Sequence, residues 1–86
     1  MFVLIVYDTD KKNCVALHKS LKKFLFWNQN SVFEGNVTKA QYEEIKQILK
    51  EKMVERTHIV LYSIENEKLL KKEELGEGLG NTDNII

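Results

Sequence analysis

"MFVLIVYDTDKKN", residues 1–13, is an apolar run that stops on a carboxylate. Phe2 to Tyr7 are aromatic, β-branched or leucine, with no polar residue among them, and Asp8, Thr9, Asp10 and two lysines follow at once. The run is too short for a helix. Apolar side chains on both sides of the pleat describe a central strand covered on both faces. Such a strand delivers Asp8 at its end and a second acid, Asp10, two residues later.

Working outward, residues 11–26 change period. Cys14, Leu17, His18, Leu21, Phe24 and Leu25 recur at helical spacing, while Lys12, Lys19, Lys22 and Lys23 fall largely off that stripe. The pattern predicts an amphipathic helix with a cationic outer side, capped at its start by Thr9 or Asp10. "WNQNSVFEGNV", residues 27–37, alternates around Val32, Phe33 and Val37 with Gly35 as a break, which predicts two short strands meeting at a tight bend. Thr38 and Gln41 form a capping box, with Val37 and Tyr42 as its hydrophobic staple. The helix they start runs to about residue 55, with Ile45, Ile48, Leu49 and Met53 inward. "THIVLYS", residues 57–63, is a further strand. Proline, which would interrupt a helix, is absent.

The order β-α-β-β-α-β is the α+β, ferredoxin-like split βαβ arrangement, with both helices on one face of a four-stranded antiparallel sheet. The strand centres are apolar on both sides, so the face without helices is expected to meet a second copy of the chain. Residues 1–63 form this domain. Residues 64–86 are a connector, lysine- and glutamate-rich and then glycine-rich, leading to a terminal strand at Ile85 and Ile86 that adds to the edge of a partner subunit's sheet. Gly76, Gly78 and Gly80 suggest a phosphate loop, but Asn81 stands where the third glycine of G-x-G-x-x-G belongs and no helix follows.

Eighty-six residues with 43% hydrophobic content make one small domain, which buries only about 60–65% of its unfolded surface, so pairing is a natural way to bury more. A single cysteine, Cys14, excludes an internal disulfide framework and fits a reducing compartment. The apolar runs are far short of the roughly 20 residues that span a bilayer, and Asp8 comes too early for a signal peptide. A cytoplasmic protein with no membrane partner is expected. Net charge is zero, yet five lysines (Lys11, Lys12, Lys19, Lys22, Lys23) and no acid lie between Lys11 and Phe33. Six acids face three lysines from Glu65 onward. A locally basic segment holds phosphate even on a neutral protein, because screening confines the field to about 8–10 Å; an ordinary solvated helix face has the same composition.

A strand-end carboxylate in a small domain is most often simply solvated, and Asp10 has the ordinary work of a helix N-cap. A two-fold dimer changes the reading of Asp8, because its symmetry mate arrives close by. Two carboxylates about 4 Å apart repel by roughly 4 kcal/mol at an effective dielectric of 20, so the pair needs a proton or a cation. Mg²⁺ is the hard, oxygen-seeking choice, able to polarise a phosphodiester and activate a water. Glu34 and Asp10 are secondary acidic candidates. Cys14 and His18 share the apolar helical stripe, where a thiol is inert and a histidine packs. His58, opening the last strand, is a candidate proton shuttle. Two histidines and one cysteine at unrelated spacings do not make a zinc site.

"VYD" closing the first strand, the basic helix after it, and "QNSVFEG" before a capped helix resemble CRISPR-associated protein two, the small endoribonuclease-like subunit of the machinery that captures new spacers. The resemblance covers residues 1–63 in order and spacing, and the tail "KKEELGEGLG" is similar to the short form found with type I systems. It implies a homodimer of ferredoxin-like domains whose terminal strands complete the neighbour's sheet. It implies that Asp8 is the metal-binding aspartate, for Mg²⁺ or Mn²⁺, and that Tyr7 and Phe33 stand at positions linked to activity. The implied activities are metal-dependent cleavage of single-stranded RNA and of double-stranded DNA. The implied partners are dimers of the CRISPR integrase subunit in a heterohexamer, with the dimer a platform for duplex DNA. From the basic helix itself, Lys11, Lys12, Lys19 and Lys23 are expected to bind the nucleic-acid backbone. Relatives often carry arginine early in the first helix and a basic residue before "QNS"; this chain has Lys12 then Asn13, and Asn28. Lysine offers phosphate a point charge where arginine offers a planar fork, which weakens oriented contacts. A scaffold without catalysis, and a generic ferredoxin-like ligand-binding module, are the alternatives.

Overall fold

In the computed structural model, which describes residues 1–76, the chain runs β1 (Phe2–Asp8), α1 (Lys11–Leu21), β2 (Phe26–Gln29), β3 (Val32–Asn36), α2 (Lys39–Glu51) and β4 (His58–Ile64), followed by a short 3₁₀ turn at Glu67–Leu69. The sheet order is β2-β3-β1-β4, every neighbouring pair antiparallel. This is the ferredoxin-like α+β arrangement expected from the element order. The terminal strand expected at Ile85 and Ile86 lies outside the described residues. No helix among the described residues is long and apolar enough to cross a membrane.

Register explains why β1 is apolar throughout. Ile5 sits opposite Phe33 on one side and Leu61 on the other, while Leu4 sits opposite Glu34 and Tyr62. Residues directly opposite share a face, and successive residues alternate. Val3, Ile5, Tyr7 and Phe33 therefore join Leu17 and Leu21 of α1 and Ile45 and Leu49 of α2 in the core. Phe2, Leu4, Val6 and Asp8 point to the other face.

Both helices stop earlier than their periodicity predicts. α1 was expected to reach residue 26 and ends at Leu21; the Phe24 and Leu25 amides fold back onto the Leu21 carbonyl. Pairing of Phe26 with Glu34 and of Trp27 with Phe33 draws the aromatic segment into the sheet. Leu25 stays buried although it is not helical. Gly35, expected as a break, lies inside β3 opposite Val3; a Cβ there would stand 3.3 Å from Leu25 Cδ2, so the missing side chain makes room for Leu25. The bend falls instead at Asn30, which takes a left-handed φ of 41° that asparagine tolerates.

α2 starts as expected. Thr38 Oγ1 accepts from the Gln41 amide at 3.1 Å and Gln41 Oε1 accepts from the Thr38 amide at 2.9 Å. It ends at Glu51 rather than near residue 55, and Met53, expected inward, is half exposed at 52%. The chain must reverse to enter β4, and Arg56 does so in the left-handed region at φ 60°.

Candidate functional site

The C-terminal end of β1 collects the residues singled out by the sequence, but distributes them over two faces. Asp8 is exposed on the face without helices, directly opposite His58 of β4 in the strand register. Its carboxylate has no hydrogen-bond or ion-pair partner among the described residues. Asp10, by contrast, is the N-cap of α1, its Oδ1 accepting from the Asn13 amide at 2.7 Å. Between the two capping candidates, Asp10 does the work.

Tyr7 and Phe33 lie on the opposite face from Asp8, in the core. Phe33 is fully buried and Tyr7 is 4% exposed. Their rings stack at 6.4 Å, His18 meets Phe33 edge-on at 5.2 Å, and the same imidazole meets Trp27 edge-on at 4.9 Å. His18 is thus the packed histidine its stripe suggested. The Tyr7 hydroxyl is buried and has no hydrogen-bond partner. Its pKa is pushed up to about 12, first by burial and then by the neighbouring Cys14 thiol, which stands close without forming a well-shaped hydrogen bond. At neutral pH the phenol keeps its proton, so Tyr7 is able to donate a hydrogen bond and unable to act as a base. Cys14 was expected on a buried face and is only partly covered.

In the sequence, Asn13 stands out only as a departure from the basic pattern of relatives. It is 8% exposed, and its Nδ2 donates to Thr9 Oγ1 at 3.0 Å and to the Lys52 carbonyl at 2.7 Å. Thr9 Oγ1 in turn lies 2.8 Å from Thr57 Oγ1. The loop after Asp8, the first turn of α1, the end of α2 and the approach to β4 are locked together by this network. A polar residue at a helical position one place off the apolar stripe gave no signal for it.

The lysines separate as well. Lys11, Lys19 and Lys22 border one cleft, whereas Lys12 borders another beside Asp10 and Val54. Lys23 follows the helix and is exposed. Glu34, a secondary acidic candidate, is occupied: it accepts from Asn28 Nδ2 and pairs with Lys72 Nζ at 3.1 Å. Lys72 also reaches Glu74 at 3.6 Å. Leu70 to Leu75 thereby line, with Phe2, Leu4 and Val32, a cleft over part of the face without helices. The rest of that face keeps Val6 at 38%, Tyr62 at 57% and Phe26 at 67% exposure.

Among the described residues no three His, Cys, Asp or Glu side chains gather to hold a metal ion. Asp8 is one free carboxylate per protomer, an oxygen donor of the right hardness but too few for Mg²⁺ or Mn²⁺ by itself.

The family model described as "CRISPR associated protein Cas2" matches residues 1–72. The chain is 42% identical over 87 residues to the CRISPR-associated endoribonuclease Cas2 of Methanosarcina acetivorans, with both chains covered in full. It is 39% identical to that of Methanocaldococcus jannaschii, covering all of this chain and 76% of the relative. A solved Cas2 structure superposes with a TM-score of 0.81 at 36% identity, covering 100% of this chain and 98% of the other. Streptococcus pyogenes Cas2 superposes at 0.72 and 31% identity, covering 88% of this chain and all of that one. With these likenesses across the whole βαββαβ core, the chain belongs to the CRISPR-associated Cas2 family.

Proposed function

We propose that this chain works in CRISPR adaptation as a homodimer that binds nucleic acid and cleaves phosphodiester bonds at a metal site shared by two Asp8 carboxylates. The observation that carries the reading is the free, exposed Asp8 at the end of a buried strand, on a sheet face that still displays Val6 and Tyr62. Pairing of that face around a two-fold axis buries the apolar side chains and brings the two carboxylates together. The names of the relatives support the ribonuclease activity for this chain.

The two Asp8 side chains would hold Mg²⁺ or Mn²⁺, which would supply charge to a phosphodiester and acidity to a water. The chain's own residues do the rest. His58, opposite Asp8, is the group on hand to pass a proton to the leaving oxygen. Phe33 and Tyr7 act from beneath the sheet, holding the end of β1 in place. Lys11, Lys12, Lys19 and Lys23 hold backbone phosphates of double-stranded DNA or single-stranded RNA, a sequence-tolerant attraction that weakens with salt. The tail docks the dimers of the integrase subunit, and in that setting the dimer is a platform for duplex DNA.

A purely structural reading rests on the five lysines, none of which is in an ion pair among the described residues. The experiment is a side-by-side assay of the wild type and Asp8→Asn on RNA and duplex DNA, with Mg²⁺ and with a chelator. Loss of cleavage in Asp8→Asn and in chelator, with DNA affinity retained, supports the enzyme. Equal cleavage by both proteins points to contamination and leaves the scaffold.

A further inference from the structure

A cleft of about 670 Å³ lies between α1 and the β2–β3 hairpin, on the side of the sheet away from the Asp8 carboxylate. Cys14, Val15 and His18 line it from the helix, and Trp27 and Asn30 line it from the hairpin. The Trp27 ring is fixed there: its Nε1 donates to the Asn30 carbonyl at 2.9 Å and the His18 edge rests against it. Tyr7 reaches the cleft from the sheet, bringing the buried hydroxyl that has no partner. A buried polar atom left unpaired costs free energy that a ligand recovers by bonding it. Thr9, Lys11, Lys19 and Lys22 complete the lining; the lysines are exposed and none is in an ion pair among the described residues.

We propose that this cleft accepts an unpaired nucleobase of a single-stranded nucleic acid, with the phosphates flanking that base held by Lys11, Lys19 and Lys22. Three requirements select this ligand. The apolar, aromatic walls want a flat ring, since stacking on an aromatic side chain is the sequence-tolerant way to hold a base. The Tyr7 hydroxyl wants a polar atom on that ring's edge, which an alkyl chain lacks. The lysines want anions, and they extend along α1 from Lys11 to Lys22, a span on the order of 16 Å at the helical rise. That is longer than one nucleotide, so a strand fits the row better than a free mononucleotide. A base inside a duplex has both faces stacked and its pairing edge used, and does not enter.

The chain has a single tryptophan, Trp27, so its fluorescence reports on this cleft alone. The test titrates the wild-type protein with a short oligouridylate, with a blunt DNA duplex of the same length, and with inorganic phosphate. Saturable quenching by the oligouridylate is expected, with much weaker quenching by duplex, whose stacked bases do not reach Trp27, and none by phosphate. Val15 is half exposed at 52%, so Val15→Glu puts a carboxylate into the cleft without touching the core and weakens the quenching by about tenfold or more. Lys22→Ala weakens it less and reduces its salt dependence. Asp8→Asn leaves quenching intact whether or not the wild type cleaves, which separates this site from the metal reading. No quenching, equal quenching by duplex, or quenching unchanged in both Val15→Glu and Lys22→Ala overturns the assignment.

Discussion

The two faces of the sheet differ in what they ask of the same strand. On one, Val3, Ile5 and Tyr7 of β1 meet Phe33, Leu17, Leu21, Ile45 and Leu49 and are almost wholly excluded from water. On the other, Phe2 and Leu4 meet only a short stretch of tail, tied down by Lys72 on Glu34, and Val6 and Asp8 stay exposed. The first face is closed by helices that the chain itself supplies, so its energetics are those of folding. The second is left with exposed apolar side chains and, among the described residues, an unpartnered carboxylate. One strand thus presents a closed face and an open face on alternate residues.

Substitutions on the closed face have the largest expected effect. Phe33→Ala removes a fully buried ring from the centre of the core and is expected to cost about 3–5 kcal/mol, enough to unfold much of a small domain; urea unfolding followed by circular dichroism measures it. A loss under about 1 kcal/mol would show that the helix-covered face is looser than described. Asn13→Ala comes next. It leaves the Lys52 carbonyl and Thr9 hydroxyl without their donor, at an expected cost of about 1–3 kcal/mol, and hydrogen exchange should rise first at the end of α2.

Tyr7→Phe sharpens the contrast from inside the core. At neutral pH it removes an unpartnered hydroxyl, so stability should hold or rise by up to about 1 kcal/mol. The folded chain keeps the Tyr7 proton more tightly than the unfolded chain, whose pKa is near 10.0 against about 12 when folded. Wild-type stability should therefore fall as pH climbs from about 10 through about 12, and Tyr7→Phe should fall less over the same window. Identical alkaline profiles for the two proteins would mean that the hydroxyl is solvated.

The smallest effects on folding belong to the open face. Asp8→Asn should change stability by no more than about 0.5 kcal/mol while abolishing cleavage. Tyr62→Glu, on an exposed position of the same face, should turn a dimer into a monomer in light scattering at similarly small cost to each protomer. A dimer that survives Tyr62→Glu would move the interface elsewhere.

Much of this was legible in residue order. The capping box at Thr38 and Gln41 works because it is local, closed within one turn. The doubly apolar β1 announced a central strand, and the element order led to the right sheet. What periodicity misplaced were the ends of helices. Phe24, Leu25 and Met53 continue a helical stripe on paper, and nothing within the stripe says that Phe26 will pair with Glu34 or that the chain must turn at Arg56. Gly35 looked like a break because its partner, Leu25, is ten residues away. Asn13 gave no signal of its buried role because one of its partners, the Lys52 carbonyl, lies 39 residues away past the end of α2.

By itself, then, the sequence determined the kind and order of the elements, the face each helix buries and the carboxylate that closes β1, since all of these follow from contacts between near neighbours along the chain. Only the tertiary structure decided which of Tyr7 and Asp8, on opposite sides of the pleat, faces the helices, that Glu34 is held by Lys72, and that three of the lysines border an aromatic cleft. Those facts depend on strand register and on how a helix is rotated over the sheet, and both are set by packing among residues far apart in the chain.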